Sequence, residues 1–252
     1  MKGNRNSPRP QVGRRFVSGI GQWYSTLTGD WSKPPKKVPS NIKRLCIYSS
    51  DGFVGRDTDF LVSYPHLHEV RMSFDRPIDF SGLYQLTKLR DLFIQAGWFS
   101  RDVLPPLDLS RISTLHRFSS PFFAKIRGWE SLEHLTELRL DHVYGMKQLD
   151  LSHHPGLETL ALGPANGVEQ VCLDGLTALR SLSLACMRNL TSITGTKFYD
   201  TVTELDIRGA NKIPASTLAR FRRLEKVLIG TKSAIMPTNF PLCSPRITPF
   251  PV

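Results

Sequence analysis

Between Leu135 and Leu184 the chain reads LTELRLDHVYGMKQLDLSHHPGLETLALGPANGVEQVCLDGLTALRSLSL, and one apolar triplet, LxxLxL, keeps returning. It appears as Leu135-Leu138-Leu140, Met146-Leu149-Leu151, Leu157-Leu160-Leu162, Val168-Val171-Leu173 and Leu179-Leu182-Leu184, each triplet starting 11 residues after the one before. A unit that short cannot bury its own apolar face. A fixed short period therefore implies stacking of each unit on its neighbours, as in a solenoid.

Taking every second triplet as a full repeat extends the pattern in both directions. The units begin at Ile42, Leu67, Leu89, Leu115, Leu135, Leu157, Leu179, Val202 and Leu224, with spacings of 25, 22, 26, 20, 22, 22, 23 and 22 residues. Nine such units resemble the leucine-rich-repeat family over residues 42–231. Two departures from the usual family pattern refine the resemblance. The Asn that normally follows the third leucine by three places is missing, with Asn166, Asn189 and Asn211 falling one or two places later. The 11-residue half-repeat also stays visible, which is similar to the nested subclass with a second LxxLxL on the opposite side of the coil.

The resemblance implies a β-rich α/β leucine-rich-repeat solenoid: a right-handed curved coil with a parallel concave sheet. Short strands or single 3₁₀ turns are expected on the convex side. Little helix is expected, the best candidate being PASTLARFRRL, Pro214 to Leu224.

Charge divides the chain differently from the repeats. Of the formal +11, residues 1–44 carry +9, from ten Lys and Arg against Asp30, whereas residues 45–252 carry only +2. Three segments follow: a basic, Pro/Gly-rich arm and cap over 1–41, the solenoid over 42–231, and a Pro-rich tail over 232–252. Proline cannot donate to a ladder, so the tail cannot continue it; Phe240 and Phe250 are its expected anchors, as Trp23, Tyr24 and Trp31 are in the arm. Cys46, Cys172, Cys186 and Cys243 have no close pairing, which fits reduced thiols in a cytoplasmic protein. No stretch approaches the ~18–20 apolar residues of a membrane span.

Alternation along a strand sends the leucines inward and the residues between them outward, so the concave face can be written down in advance. Its expected partner-binding residues are Arg44, Tyr48, Glu69, Arg71, Asp91, Phe93, Gln95, Arg117, Glu137, Arg139, Asp141, Glu204, Asp206 and Arg208. The charges among them are expected to pair across rungs and keep the exposed sheet soluble. Phe93, an aromatic inside a polar rim, is the expected contact residue. Trp98, Phe99, Phe122 and Phe123 stand just past strand ends.

Site chemistry is sparse. His66 and His68 flank Leu67, and His153-His154 occupy a turn, but neither pair has a third ligand at metal spacing. There is no phosphate-cradling Gly-rich loop and no nucleophile-base signature. The expectation is a non-enzymatic, monomeric module without cofactor or metal that occludes a partner protein with its concave face, as a bacterial toxin-neutralising (immunity-type) inhibitor would. Two other classes remain: a secreted bacterial effector or ubiquitin-ligase adaptor whose polar N-terminus is a non-cleaved signal, and an RNA- or anionic-membrane-binding protein acting through the basic arm.

Overall fold

The computed structural model describes residues 9, 11–17, 22–30, 41–96, 106–121, 125–143 and 145–229. Trp31, Trp98, Phe99, Phe122, Phe123, Cys243 and the 232–252 tail lie outside them. The chain divides into two compact units, Met1–Leu132 and Glu133–Val252.

In the first unit, β1 (Gln11–Val17) and β2 (Gln22–Asp30) form an antiparallel hairpin with Arg15 opposite Tyr24. β2 then runs parallel to β3 (Arg44–Tyr48), pairing Thr26 with Cys46. The residues expected to form an arm thus contribute two strands to the sheet. β4 (Phe53–Val54) joins the far end of β2. The parallel ladder continues through β5 (Glu69–Phe74), β6 (Asp91–Ala96) and, past the short β7 (Leu107–Asp108), β8 (Arg117–Pro121). β7 pairs with β9 (Ile126–Arg127) on the other side of the coil.

The return path of this unit is built from 3₁₀ turns, and the sequence shows why. Leu61, Tyr64 and Leu67 recur every third residue, as do Leu83, Leu86 and Leu89, and in a 3₁₀ spiral residues i and i+3 lie on one face. Their amides chain together as Leu61→Thr58, Tyr64→Leu61 and Leu67→Tyr64, and again as Leu83→Phe80, Leu86→Leu83 and Leu89→Leu86, at 2.9–3.2 Å. All six side chains are at most 4% exposed. Phe53 packs against Phe60 and Phe74, with ring centroids 5.7 and 6.3 Å away, and closes the core. Gly82 is required here: a Cβ would sit 1.8 Å from the Thr58 carbonyl oxygen.

In the second unit the main ladder is β10 (Glu137–Asp141), β12 (Thr159–Leu162), β14 (Ser181–Ser183), β16 (Glu204–Asp206) and β17 (Lys226–Leu228). The second triplets make their own parallel sheet from β11 (Gln148–Asp150), β13 (Gln170–Cys172) and β15 (Ser192–Thr194), aligning Leu149, Val171 and Ile193. The 11-residue period is therefore two strands per coil, one on each side. Leu138, Leu160, Leu182 and Leu205 stack between the sheets at 0–2% exposure. The expected helix at Pro214 to Leu224 is a single turn, α1 (Ala215–Leu218), because Phe221 drops into the core beside Phe198 and Tyr199 and Leu224 is buried after it. Each unit is a leucine-rich-repeat coil with a parallel sheet and almost no helix.

One hydrogen-bond arrangement recurs at the rung entries within each unit. The carbonyl of Lys43 accepts from the amides of both His68 and Glu69, that of His68 from Arg90 and Asp91, and that of Arg90 from His116 and Arg117. Thr136, Glu158, Arg180 and Thr203 do the same in the second unit. The residue just before each main strand is thereby stacked over its counterpart in the preceding rung.

Candidate binding face of the sheet

Strand register sets the outward columns. In the first unit Arg44, Glu69, Asp91 and Arg117 are aligned in one column, Cys46, Arg71, Phe93 and Ser119 in the next, and Tyr48, Ser73 and Gln95 in the third. In the second, Glu137 leads through Thr159 and Ser181 to Glu204, and Arg139 through Ala161 and Ser183 to Asp206. Asp141 closes β10, and Arg208 follows β16.

Being in an outward column does not leave every residue open. Cys46 is 0% and Glu69 3% exposed, so Glu69 is not available to a partner. The hairpin explains it: Tyr24, itself 2% exposed, lays its ring over this end of the sheet and donates from Oη to Glu69 Oε1 at 2.7 Å. Burial, with that bond next, pushes the Tyr24 phenol up to about 12, so it stays a neutral donor. Arg71 Nε donates to the same Oε1 at 2.9 Å, and Arg44 reaches the other carboxylate oxygen at 3.7 Å. Tyr48 is half-buried, with the Arg15 guanidinium 5.0 Å from its ring centroid and bonded beyond it to Asp51. The repeat pattern did not flag that Tyr24 and Arg15 cover this face; for Tyr24 the alternation in QWYSTLTGD was the available signal.

The charges pair both along a strand and across rungs. Besides Arg71 with Glu69, Arg139 bonds to Glu137 at 2.6 Å and Arg208 to Asp206 at 2.9 and 2.7 Å, each two residues apart. Burial works to raise the Asp206 carboxyl, but the Arg208 hydrogen bonds and charge outweigh it and hold the pKa below the usual value. Across rungs, Arg117 joins Asp91 by two bonds of 2.7 Å, and Arg44 reaches Glu69. Lys226 lies only 4.0 Å from Glu204. Asp141 is different: desolvation pushes its carboxyl up, and Arg139 and His142 only partly oppose this.

Phe93 is half-buried and rigidly held. The Arg71 guanidinium lies 3.8 Å from its ring centroid and that of Arg117 5.7 Å, a double cation–π contact whose cations are themselves tied to Glu69 and Asp91. Gln95, beyond it, is exposed. Among the described residues no group of three His, Cys, Asp or Glu could hold a metal, and no helix is long and apolar enough to cross a membrane.

No family model and no curated protein matches this chain. Two similar solved structures are TLR13 in its complex with ssRNA13 and an internalin (inlF) from Listeria monocytogenes. The first is 17% identical over 74% of this chain and 32% of its own, with a TM-score of 0.37. The second is 12% identical over 82% of this chain and 75% of its own, with a TM-score of 0.33. This chain spans about a third of the length of the TLR13 chain.

Proposed function

We propose that this leucine-rich-repeat chain is a non-enzymatic module that binds a partner protein on the outward side of its main sheet. The observation that carries the reading is Phe93, an aromatic clamped between Arg71 and Arg117 on a face whose arginines already have carboxylate partners. An apolar anchor fixed in place before binding, within a polar surround, is the arrangement that concentrates affinity at a protein interface. Arg44, Tyr48, Gln95 and Arg117 form the rest of that face in the first unit. Glu137, Arg139, Asp141, Glu204, Asp206 and Arg208 are the corresponding positions in the second. The finer reading is occlusion: a rigid sheet covers the partner's working surface, as an immunity-type inhibitor covers a bacterial toxin.

The test is crosslinking of the native chain in its host, identification of the crosslinked protein, and titration of that protein with variants. Phe93→Ala should weaken the complex at least about 30-fold, the equivalent of roughly 2 kcal/mol. Lys147→Ala, on the opposite side and paired with Glu169, should leave affinity unchanged. Equal losses at both, or a loss only at Lys147, would place the interface elsewhere. Inhibition of the partner's activity by the wild-type chain, and not by Phe93→Ala, is the result expected for occlusion.

A further inference from the structure

The cations of the outward sheet face are matched by carboxylates; those along the strand-entry edge of the first unit are not. The repeated carbonyl arrangement stacks Lys43, His68, Arg90 and His116 in successive rungs, with His66 and Lys88 two residues before the middle pair. Lys43, His66, Lys88 and Arg90 are exposed, and His68 and His116 half-buried. None of the segments leading into these strands, residues 41–44, 64–68, 85–90 and 111–116, holds an Asp or Glu. Among the described residues, Lys43, Lys88 and Arg90 have no ion-pair partner.

The equivalent positions of the second unit, Thr136, Glu158, Arg180, Thr203 and Glu225, mix both signs, so the segregation is not a by-product of the fold. The positive field is also felt locally. His68 is held below its ordinary pKa by burial first, then by Arg90, Lys43, Lys88 and His66. At its amino-terminal end the ridge opens onto a cavity of about 410 Å³ lined by Arg14, Asn41, Lys43 and Arg44, again without a carboxylate.

We propose that this strand-entry edge is a binding ridge for the phosphate backbone of a nucleic acid, contacted without reading base sequence. Three steps between rungs ~4.8 Å apart give a row of roughly 15 Å. A stacked nucleic-acid strand rises ~3.4 Å per phosphate along its axis, so the row is long enough to meet several phosphates. Leu67, Leu89 and Leu115 are turned fully into the core, so the ridge offers a lipid layer little apolar surface. Its width of one or two side chains suits a string of charges rather than a plane. This surface is distinct from the Phe93 face and stands or falls independently of it.

The experiment is fluorescence anisotropy of the full chain with a mixed-sequence single-stranded 12-mer RNA between 50 and 200 mM salt. Each single-strand phosphate neutralised contributes about −0.7 to the slope of log K against log salt. The variant Lys43→Gln/Lys88→Gln/Arg90→Gln should therefore bind at least tenfold more weakly at 100 mM salt, with a slope shallower by about 2. Its urea midpoint should match the wild type. Lys33→Gln/Lys36→Gln/Lys37→Gln tests the basic N-terminal segment separately, and the ridge-dependent loss should persist when the two sets are combined. Unchanged affinity and slope in the ridge variant overturn the proposal. So does ridge-dependent binding to phosphatidylserine vesicles with none to the oligonucleotide.

Discussion

The hydroxyl of Tyr24 is the connection between the N-terminal hairpin and the repeats that can be broken most cleanly. Tyr24→Phe keeps the ring, which is 2% exposed, and removes the donation from Oη to Glu69 Oε1 at 2.7 Å together with a longer acceptance from Arg71 Nε at 3.3 Å. A hydrogen bond to a charged acceptor is worth about 1.5–3 kcal/mol. The loss belongs at the low end, about 1.5 kcal/mol, because the carboxylate keeps Arg71 at 2.9 Å and Arg44 at 3.7 Å and is not left bare. Glu69→Ala is harsher: it strands the Tyr24 hydroxyl and the half-buried Arg71 guanidinium together, a loss of about 3–5 kcal/mol.

Urea unfolding of both single variants and the double completes a cycle, with a coupling of about 1–1.5 kcal/mol expected between the two positions. Hydrogen exchange should locate the Tyr24→Phe loss in the amides of β1 and β2. The pH dependence supplies an independent check. A phenol raised to about 12 in the fold contributes stability that is complete below its unfolded value near 10 and is lost as pH rises through 12. The gap between wild type and Tyr24→Phe should accordingly narrow over that range. Additive single-variant losses, with no coupling, would refute the reasoning.

Leu182, 1% exposed in the middle of the second unit, should cost about 2–5 kcal/mol when cut to Ala, read as a lowered urea midpoint with unchanged m. Two carboxylates should titrate in opposite senses. Asp206, held low by Arg208, contributes stability that is present above the unfolded carboxylate pKa and lost as pH falls through its folded value. Asp141, held high by desolvation, favours the fold only when protonated, so that contribution is lost as pH rises through its folded value. Thermal melts at pH 7 should show Asp206→Asn destabilised and Asp141→Asn stabilised, and the same sign for both would contradict the assignment.

The register of the sheet was legible because LxxLxL fixes which side chains turn inward; Leu138, Leu160 and Leu182 line up as the spacing requires. The second sheet was legible from the 11-residue half-period. What one outward position does to the next was not. Glu69 and Glu137 occupy equivalent strand positions, yet only Glu69 is buried, because a strand without the repeat pattern pairs beside β3 and brings Tyr24 over it. Charge partners were legible in part: Asp91 with Arg117 pairs across rungs as the columns suggest. A pleated strand also places residues i and i+2 on the same side, so Glu137 and Asp206 find their arginines within reach along the chain instead. The basic ridge was hidden by arithmetic, since a near-zero net charge over residues 45–252 carries no information about which edge each charge occupies.

The ion pairs of this sheet differ in whether they could survive a change in the number of repeats. Glu137 with Arg139, and Asp206 with Arg208, close inside one strand, so a rung that is duplicated, lost or transplanted takes its own counterion with it. Asp91 and Arg117 sit on different rungs and hold each other by two bonds. Inserting a rung between them would leave an acid and a base each facing a stranger. The array is thus freely editable where its charges are self-contained and fixed in order where they are shared, and the shared pair Asp91 and Arg117 supplies one of the two cations that clamp Phe93.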